Sequence, residues 1–420
     1  MRILTISNLY PPDAIGGYEL ACSQLVEGLR GRGHDVQVLT RVAPVPTERC
    51  DYVHRDLAMP DVLLAGHFDR ATDATRHQWD ARVRFVDASN IGRLLDLLDR
   101  FQPDVVHLWH LAGIGGLSIV ATLDALGVPW VWHLADAAPA FVAGWMAVPH
   151  PAIGQALAAM PGRYSAVSDR IVRRVRDLGV PIPEPVALLS SVTDAVLPPE
   201  RTQFRTDGPL RLVMAGRLAT EKGLDMIIDV VARLNTPIPR VTLDLFGPGD
   251  PAPFAQRAHD RGVADAVRFR GAAPNRELIA ALASYDVFVF PTWAEDPCPA
   301  APLEAAAVGC VPLLTDLCGT SEWIVDGVHC LKAPRTVEAF TARLEEILRG
   351  DVELAPIARR GQRHVRSSFT TDQRTPQHEA LLETAATHDR RPPRMDRDRI
   401  YRLAALADRL LARHTEEARP

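Results

Sequence analysis

Several signatures are missing from this 420-residue chain. No Cys-x-x-Cys pair joins any of the six cysteines (Cys22, Cys50, Cys298, Cys310, Cys318, Cys330), which argues against a zinc knuckle or a thioredoxin-like motif. Free thiols in a reducing compartment are the plain reading. G-x-G-x-x-G is absent, which makes a nicotinamide oxidoreductase a poor reading; G-x-S-x-G and the Walker loop are absent too. No uninterrupted apolar run approaches the ~18–20 residues of a spanning helix. Asp124 and Pro129 break the longest candidate. The start, Met1-Arg2-Ile3-Leu4-Thr5-Ile6, reads as a first strand rather than a signal peptide. A cytoplasmic protein is expected, with peripheral contact at the inner membrane face left open. A large excess of one charge is missing as well. The 47 basic and 52 acidic residues leave a formal charge of -5, which disfavours nucleic acid as a partner.

What is present is ordinary globular composition, 47% hydrophobic and 24% charged. At roughly 100–200 residues per domain, the length predicts two or three domains. Short β-branched runs alternate with helical patterns. Ile3–Ser7, Val36–Thr40, Val105–Leu108 and Trp130–His133 read as strands, with helices over Leu20–Arg32, Ile91–Phe101 and Ile119–Leu126. The pattern then restarts, with strands Leu210–Gly216, Val241–Phe246, Val267–Arg270, Val287–Phe290 and Val311–Leu314. Such alternation implies βαβ units and mostly parallel sheets. A proline-rich stretch separates the sets, and the linker is placed near residues 196–209. The expected domains are 1–200, 205–375 and a helical tail, 376–420. In that tail Ile400, Leu403, Ala407, Leu410 and Leu411 fall on one helical face. Packing on the same chain or contact with a second copy in a homodimer are both open to it.

Four segments carry chemistry. Gly216-Arg217-Leu218-Ala219-Thr220-Glu221-Lys222-Gly223 lies between a strand and a helix. Its glycines permit close backbone approach, and its two cations suit a diphosphate. A solvated Arg and Lys beside a helix start is the competing reading. Asp296 and Glu304 stand eight positions apart, one in a loop and one opening a helix. Carboxylates accept paired sugar hydroxyls well; a turn residue and a helix-dipole partner are the plainer alternatives. Gly16 and Gly17 precede the first helix and can bring amides to an anion. His133 ends a strand, where it could bond a substrate, although a core histidine is the commoner outcome. Arg163, Arg170, Arg173, Arg174 and Arg176 crowd one stretch, as a solvated helix face or a patch for an anionic acceptor or membrane. Asp396-Arg397-Asp398 has the form of a metal-binding D-x-D, but no strand precedes it, and no other metal set is evident.

Together these segments resemble the retaining glycosyltransferases of family 4, also called glycosyl transferases group 1. Gly216 to Gly223 matches G-R-L-x-x-x-K-G, and Asp296 to Glu304 matches E-x-x-x-x-x-x-x-E, with Asp in place of the usual first Glu. Gly309-Cys310-Val311-Pro312, Gly319-Thr320-Ser321-Glu322 and Asp326-Gly327 resemble the segments that follow. Gly16-Gly17 with Glu19 resembles the G-G-x-E loop. The resemblance implies an α/β protein of GT-B fold, with two Rossmann-like domains facing each other across a cleft.

It also implies an enzyme, a hexosyltransferase that needs no metal and retains anomeric configuration. The sugar would pass from a UDP-, GDP- or ADP-linked donor, a co-substrate rather than a cofactor, to a hydroxyl of a carbohydrate, glycolipid or natural product. Arg217 and Lys222 would neutralise the diphosphate, Glu304 hold the ribose, and Asp296 orient the sugar. Gly16 and Gly17 would face the diphosphate, His133 the sugar, and Arg270 and Gly271 the base. Acceptor contacts are expected from residues 43–80 and 134–165, since loops carry such variation. A nucleotide-sugar epimerase of the same fold, a phosphorylase, and a donor-binding protein with a degenerate transfer site are the alternatives.

Overall fold

The computed structural model describes residues 1–14, 17–44, 48, 50–59, 86–140, 160–190, 197–204, 208–292 and 296–417. The chain divides into two compact units, Met1–Leu189 with Thr375–Pro420, and Ser190–Arg374.

The first unit carries a seven-stranded parallel sheet of order β3-β2-β1-β4-β5-β6-β7. Its strands are β1 (Arg2–Ile6), β2 (Asp35–Arg41), β3 (Val53–Leu57), β4 (Val105–Leu108), β5 (Trp130–Leu134), β6 (Arg163–Ala166) and β7 (Ala187–Leu188). The second carries six parallel strands, order β10-β9-β8-β11-β12-β13. These are β8 (Leu210–Ala215), β9 (Val241–Phe246), β10 (Val267–Gly271), β11 (Val287–Phe290), β12 (Val311–Leu314) and β13 (Leu331–Lys332). Each unit therefore repeats the Rossmann arrangement. The central strands β4, β5, β11 and β12 are buried at every position. Helices cover both faces of such sheets, so these strands read as continuous apolar runs. The edge strands β3 (VHRDL), β7 (AL) and β13 (LK) are short or polar and left no such run.

The unit boundaries differ from those placed at 1–200, 205–375 and 376–420. The change near Leu189 comes early because the following segment is bonded to the second unit. Arg366 Nη2 donates to Pro198 O at 2.6 Å, and Arg201 N donates to Gln362 Oε1 at 3.0 Å. The tail belongs to the first unit because its backbone and charges are used there. Arg394 N donates to Ala125 O at 2.7 Å, Arg391 N to Gly127 O at 3.1 Å, and Arg163 is forked onto Asp389. A Cβ on Gly127 would lie 2.1 Å from Arg391 O, so glycine is required for that approach.

The last helix, Arg397–Glu417, buries Ile400 and Ala404, while Leu403 and Leu406 are each 48% exposed. The packed stripe is thus rotated away from Leu403, which the sequence had grouped with Ile400. The side chains of Leu410 and Leu411 lie outside the described residues. Asp396 caps this helix by accepting from Arg399 N at 2.8 Å, which accounts for one half of the apparent D-x-D. The arginine-rich stretch is also paired: Arg173 with Asp169, and Arg176 with Glu184. Among the described residues, no helix is long and apolar enough to cross a membrane.

Candidate functional site

In each sheet the chain reverses its direction of growth beside the first strand, between β1 and β4 and between β8 and β11. Loops leaving two such strands diverge, and ligands of doubly wound sheets bind in the opening at their carboxyl ends. In the second unit the two motif segments, residues 216–223 and 296–304, follow β8 and β11.

Glycine brings the loops together. Gly223 has φ of +81°, and a Cβ there would sit 2.1 Å from Pro291 O. No other residue fits that approach without moving the backbone. Gly247-Pro248-Gly249 supports the first loop from beneath: a Cβ on Gly247 would lie 1.8 Å from Gly216 O, and Leu218 N donates to Pro248 O at 2.8 Å.

Lys222 closes the 3-10 turn Thr220–Lys222. Its Nζ donates to Asp296 Oδ1 at 2.8 Å and Oδ2 at 2.6 Å, and Thr292 Oγ1 donates to Oδ2 at 2.8 Å. Both charged side chains are 14% exposed, and Nζ lies 5.7 Å from the Phe290 ring centroid. Partial burial strengthens such a charge pair relative to one in open water. Asp296, one methylene shorter than Glu, is therefore spent on Lys222 here.

Glu304 lies in the first turn of the helix Ala301–Ala307, is 7% exposed, and accepts from Asn275 Nδ2 at 3.0 Å. Sequence reasoning missed Asn275, because an asparagine at a helix start carries no signal beyond capping. Arg217 is 60% exposed and pairs with Glu221 at 3.5 Å. Arg270 Nε donates to Asp244 Oδ2 at 2.7 Å, and Tyr285 OH donates to the same oxygen at 2.6 Å. The Asp244 carboxylate raises the Arg270 guanidinium above its ordinary value. Arg270 is thus engaged by its own unit, whereas the resemblance would turn it to a base. Gly271 has φ of +74°, and its carbonyl accepts from Gly247 N at 2.9 Å.

The first unit presents different chemistry. Gly16 lies outside the described residues, as do 45–47, 49, 60–80 and 141–159 of the loops named for the acceptor. Gly17 opens the helix Gly17–Gly31 and is exposed. His133 is buried, with its ring stacked on Trp109 at 4.5 Å and its Nδ1 2.9 Å from Ser165 Oγ. The His107 and His378 rings lie 6.4 and 5.0 Å away. Burial, followed by the charge of His107, pushes the His133 imidazole well below its ordinary value. The ring is thus enclosed by aromatic neighbours, as a core histidine is.

The polar pair at the strand ends is instead His110 with Asp136, two residues past β4 and β5, with Nε2 2.6 Å from Oδ2. Tyr18 stacks on Trp109, donates to Trp109 O at 2.8 Å, and meets the His110 ring edge-on at 5.4 Å. His110 was not singled out from sequence; its spacing after β4, which repeats that of Asp136 after β5, was the available signal.

Two doubly wound α/β units with polar side chains at their strand ends define the class of protein by its fold. Comparison with known proteins narrows it. The chain matches the glycosyl transferase 4-like domain over residues 16–189 and glycosyl transferases group 1 over residues 209–350. It is 27% identical to the glycogen synthase of Mycobacterium tuberculosis (strain ATCC 25618 / H37Rv) over 388 residues, 88% of this chain and 91% of that protein. Among solved structures it is similar to sucrose-phosphate synthase from Thermosynechococcus elongatus, with a TM-score of 0.71 and 19% identity, covering 91% of this chain and 98% of that one. It is also similar to Anabaena HepE in complex with UDP, with a TM-score of 0.65 and 17% identity, covering 91% and 100%. The chain belongs to the group 1 glycosyl transferases and has the GT-B fold.

Proposed function

We propose that this glycosyltransferase moves a sugar from a nucleoside-diphosphate donor to a hydroxyl of a carbohydrate, glycolipid or natural-product acceptor, with retention of configuration and without a metal. The observation that carries the donor side is the Lys222–Asp296 pair at the β8/β11 switch point. An incoming diphosphate would compete with Asp296 for Lys222 and with Glu221 for Arg217. Asp296 would then be released toward the donor sugar. The two cations would stabilise charge on the leaving diphosphate, the work a metal does elsewhere. Glu304, steadied by Asn275, would accept the ribose hydroxyls. The similarity to a UDP-bound protein supports a nucleotide-linked donor.

The test is thermal-shift screening against UDP, GDP, ADP and their common sugars. Ligand that binds only the native state raises apparent stability by mass action. A shift with one nucleotide family, lost in Arg217→Ala and Lys222→Ala, is the expected result. A shift that survives both substitutions would move the donor site elsewhere.

A further inference from the structure

The loop Asp296-Pro297-Cys298-Pro299-Ala300 leads straight into the helix Ala301–Ala307, which carries Glu304. We propose that Thr320 is a positioning residue for the donor site: its hydroxyl fixes the entry to that helix and so sets Glu304 for the ribose of a nucleotide. The proposal rests on the transferase reading above.

Proline explains why the loop needs outside support. Pro297 and Pro299 have no backbone N–H, so two of the five loop residues lack a donor. What the loop offers is acceptors. Asp296 O accepts from Gly319 N at 2.7 Å, and Pro299 O accepts from Thr320 Oγ1 at 2.8 Å. Both donors belong to the 3-10 turn Gly319–Glu322 that follows β12. That turn is braced in its own right, since Lys332 Nζ, from β13, donates to Ser321 O at 2.7 Å. The loop is thus fastened near both ends to one turn. The first fastening is backbone, and the second is a side chain that mutation can remove.

Thr320 is 0% exposed. Its hydroxyl has one proton, which goes to Pro299 O. The Cys298 thiol, with Sγ 3.6 Å from Thr320 Oγ1, is therefore the donor in that second contact. One hydroxyl links two consecutive loop residues to the turn. Two buried threonines then divide the work around the loop. Thr292 holds the Asp296 carboxylate, and Thr320 holds the corner where the loop becomes helix.

The corner matters because nothing local pins it. Ala300 stands at the N-cap, with no side-chain capping bond. Glu304 N donates to Ala300 O at 2.9 Å, so the first turn hangs from that corner. A shift at Pro299 and Ala300 is passed through this one turn to Glu304. A displacement of about 1 Å is enough to weaken a positioned contact.

Isothermal titration calorimetry on the full chain tests this, with UDP, GDP and ADP and with the 2′,3′-dideoxy counterpart of whichever binds. Thr320→Val keeps the shape of the side chain and removes the hydroxyl, and Thr320→Ser restores it. Thr320→Val is expected to bind the nucleotide about tenfold more weakly, the scale of one lost hydrogen bond. Thr320→Ser should recover most of the wild-type affinity. The dideoxy nucleotide has no hydroxyl for Glu304, so wild type and Thr320→Val should bind it equally. A merely structural role would weaken both ligands alike. Urea unfolding of the ligand-free variants shows that they fold. Wild-type affinity in Thr320→Val, no recovery in Thr320→Ser, or equal losses with the two ligands would overturn the positioning role and leave the donor reading standing. If none of the three nucleotides binds the wild type, the donor reading itself fails and takes this proposal with it.

Discussion

The two units share one strand order, yet different chemistry stands at their switch points. In the second, Lys222 meets Asp296 and the exposed Arg217 meets Glu221, so two cations stand against two carboxylates. In the first, His110 meets Asp136 with Glu19 behind, and the surplus is negative. Topology thus fixes where a ligand sits, while side chains decide which ligand. The cores differ in the same way. The second sheet is apolar at its centre, whereas the first carries a polar seam. Thr5 lies opposite His107 across β1 and β4, and His133 lies opposite Ser165 across β5 and β6. His107 is buried, and neither of its ring nitrogens has a hydrogen-bond partner among the described residues.

Removing Lys222 should produce the largest effect. Lys222→Ala is expected to abolish the nucleotide-induced thermal shift and cut transfer by roughly 10²–10³-fold, the scale of losing one preorganised charge at a leaving group. Equal losses of nucleotide binding in His110→Leu would erase the division of labour between the units. Acid should separate them next. Burial pushes His107 down to about 4, and His133 is also depressed. In the unfolded chain both rings take a proton below about pH 6.5. Stability of the first unit is therefore full above that pH and is lost as pH falls from 6.5 toward 4, because the unfolded state binds more protons. Urea unfolding at about pH 7.5 and about pH 5 should show the first unit weakening by a few kcal/mol. His107→Leu should remove much of the difference, and a pH dependence unchanged in that variant would sink this account.

Glycines give a smaller contrast. Gly223→Ala forces a φ of +81° and a clash with Pro291, and should cost about 1–3 kcal/mol, read by urea unfolding. Nothing lies within 4 Å of a Cβ on Gly17, so Gly17→Ala should stay within about ±0.5 kcal/mol. If Gly17→Ala proved the more damaging, the tight loop approach would not be what Gly223 is for.

Much of this was legible in the sequence, for identifiable reasons. Strands β11 and β12 read correctly because a strand covered on both faces is a continuous apolar run, and β4, β8 and β9 because apolar residues dominate them. Edge strands such as β3 need no such run and were missed. The glycine-rich loop could be read because its backbone needs are written in residue type. Lys222 and Asp296 were named, but their direct pairing lies 74 residues apart and was not. The burial of His133 was not legible, because a strand end is compatible with both core and surface, and the packing of Trp109 and His378 lies far away in the sequence. His110 and Asn275 carried no motif at all.

The smallest effect tests the C-terminal helix, where apolar periodicity grouped Ile400 with Leu403. Three residues on a helix turn a side chain by about 60° from its starting direction, and four by about 40° on the other side. Ile400 and Ala404 can therefore share a buried stripe from which Leu403 is turned away. Tyr401 helps to fix that rotation, since its ring lies 3.2 Å from where a Gly92 Cβ would stand. Ile400→Ala should cost about 2 kcal/mol or more through lost burial and a residual cavity. Leu403→Ala, at a position 48% exposed, should stay within about ±0.5 kcal/mol in the same urea titration. A Leu403→Ala cost as large as that of Ile400→Ala would mean that the exposed stripe is covered in solution. Sedimentation of the two variants across protein concentration would then show whether a second copy provides the cover.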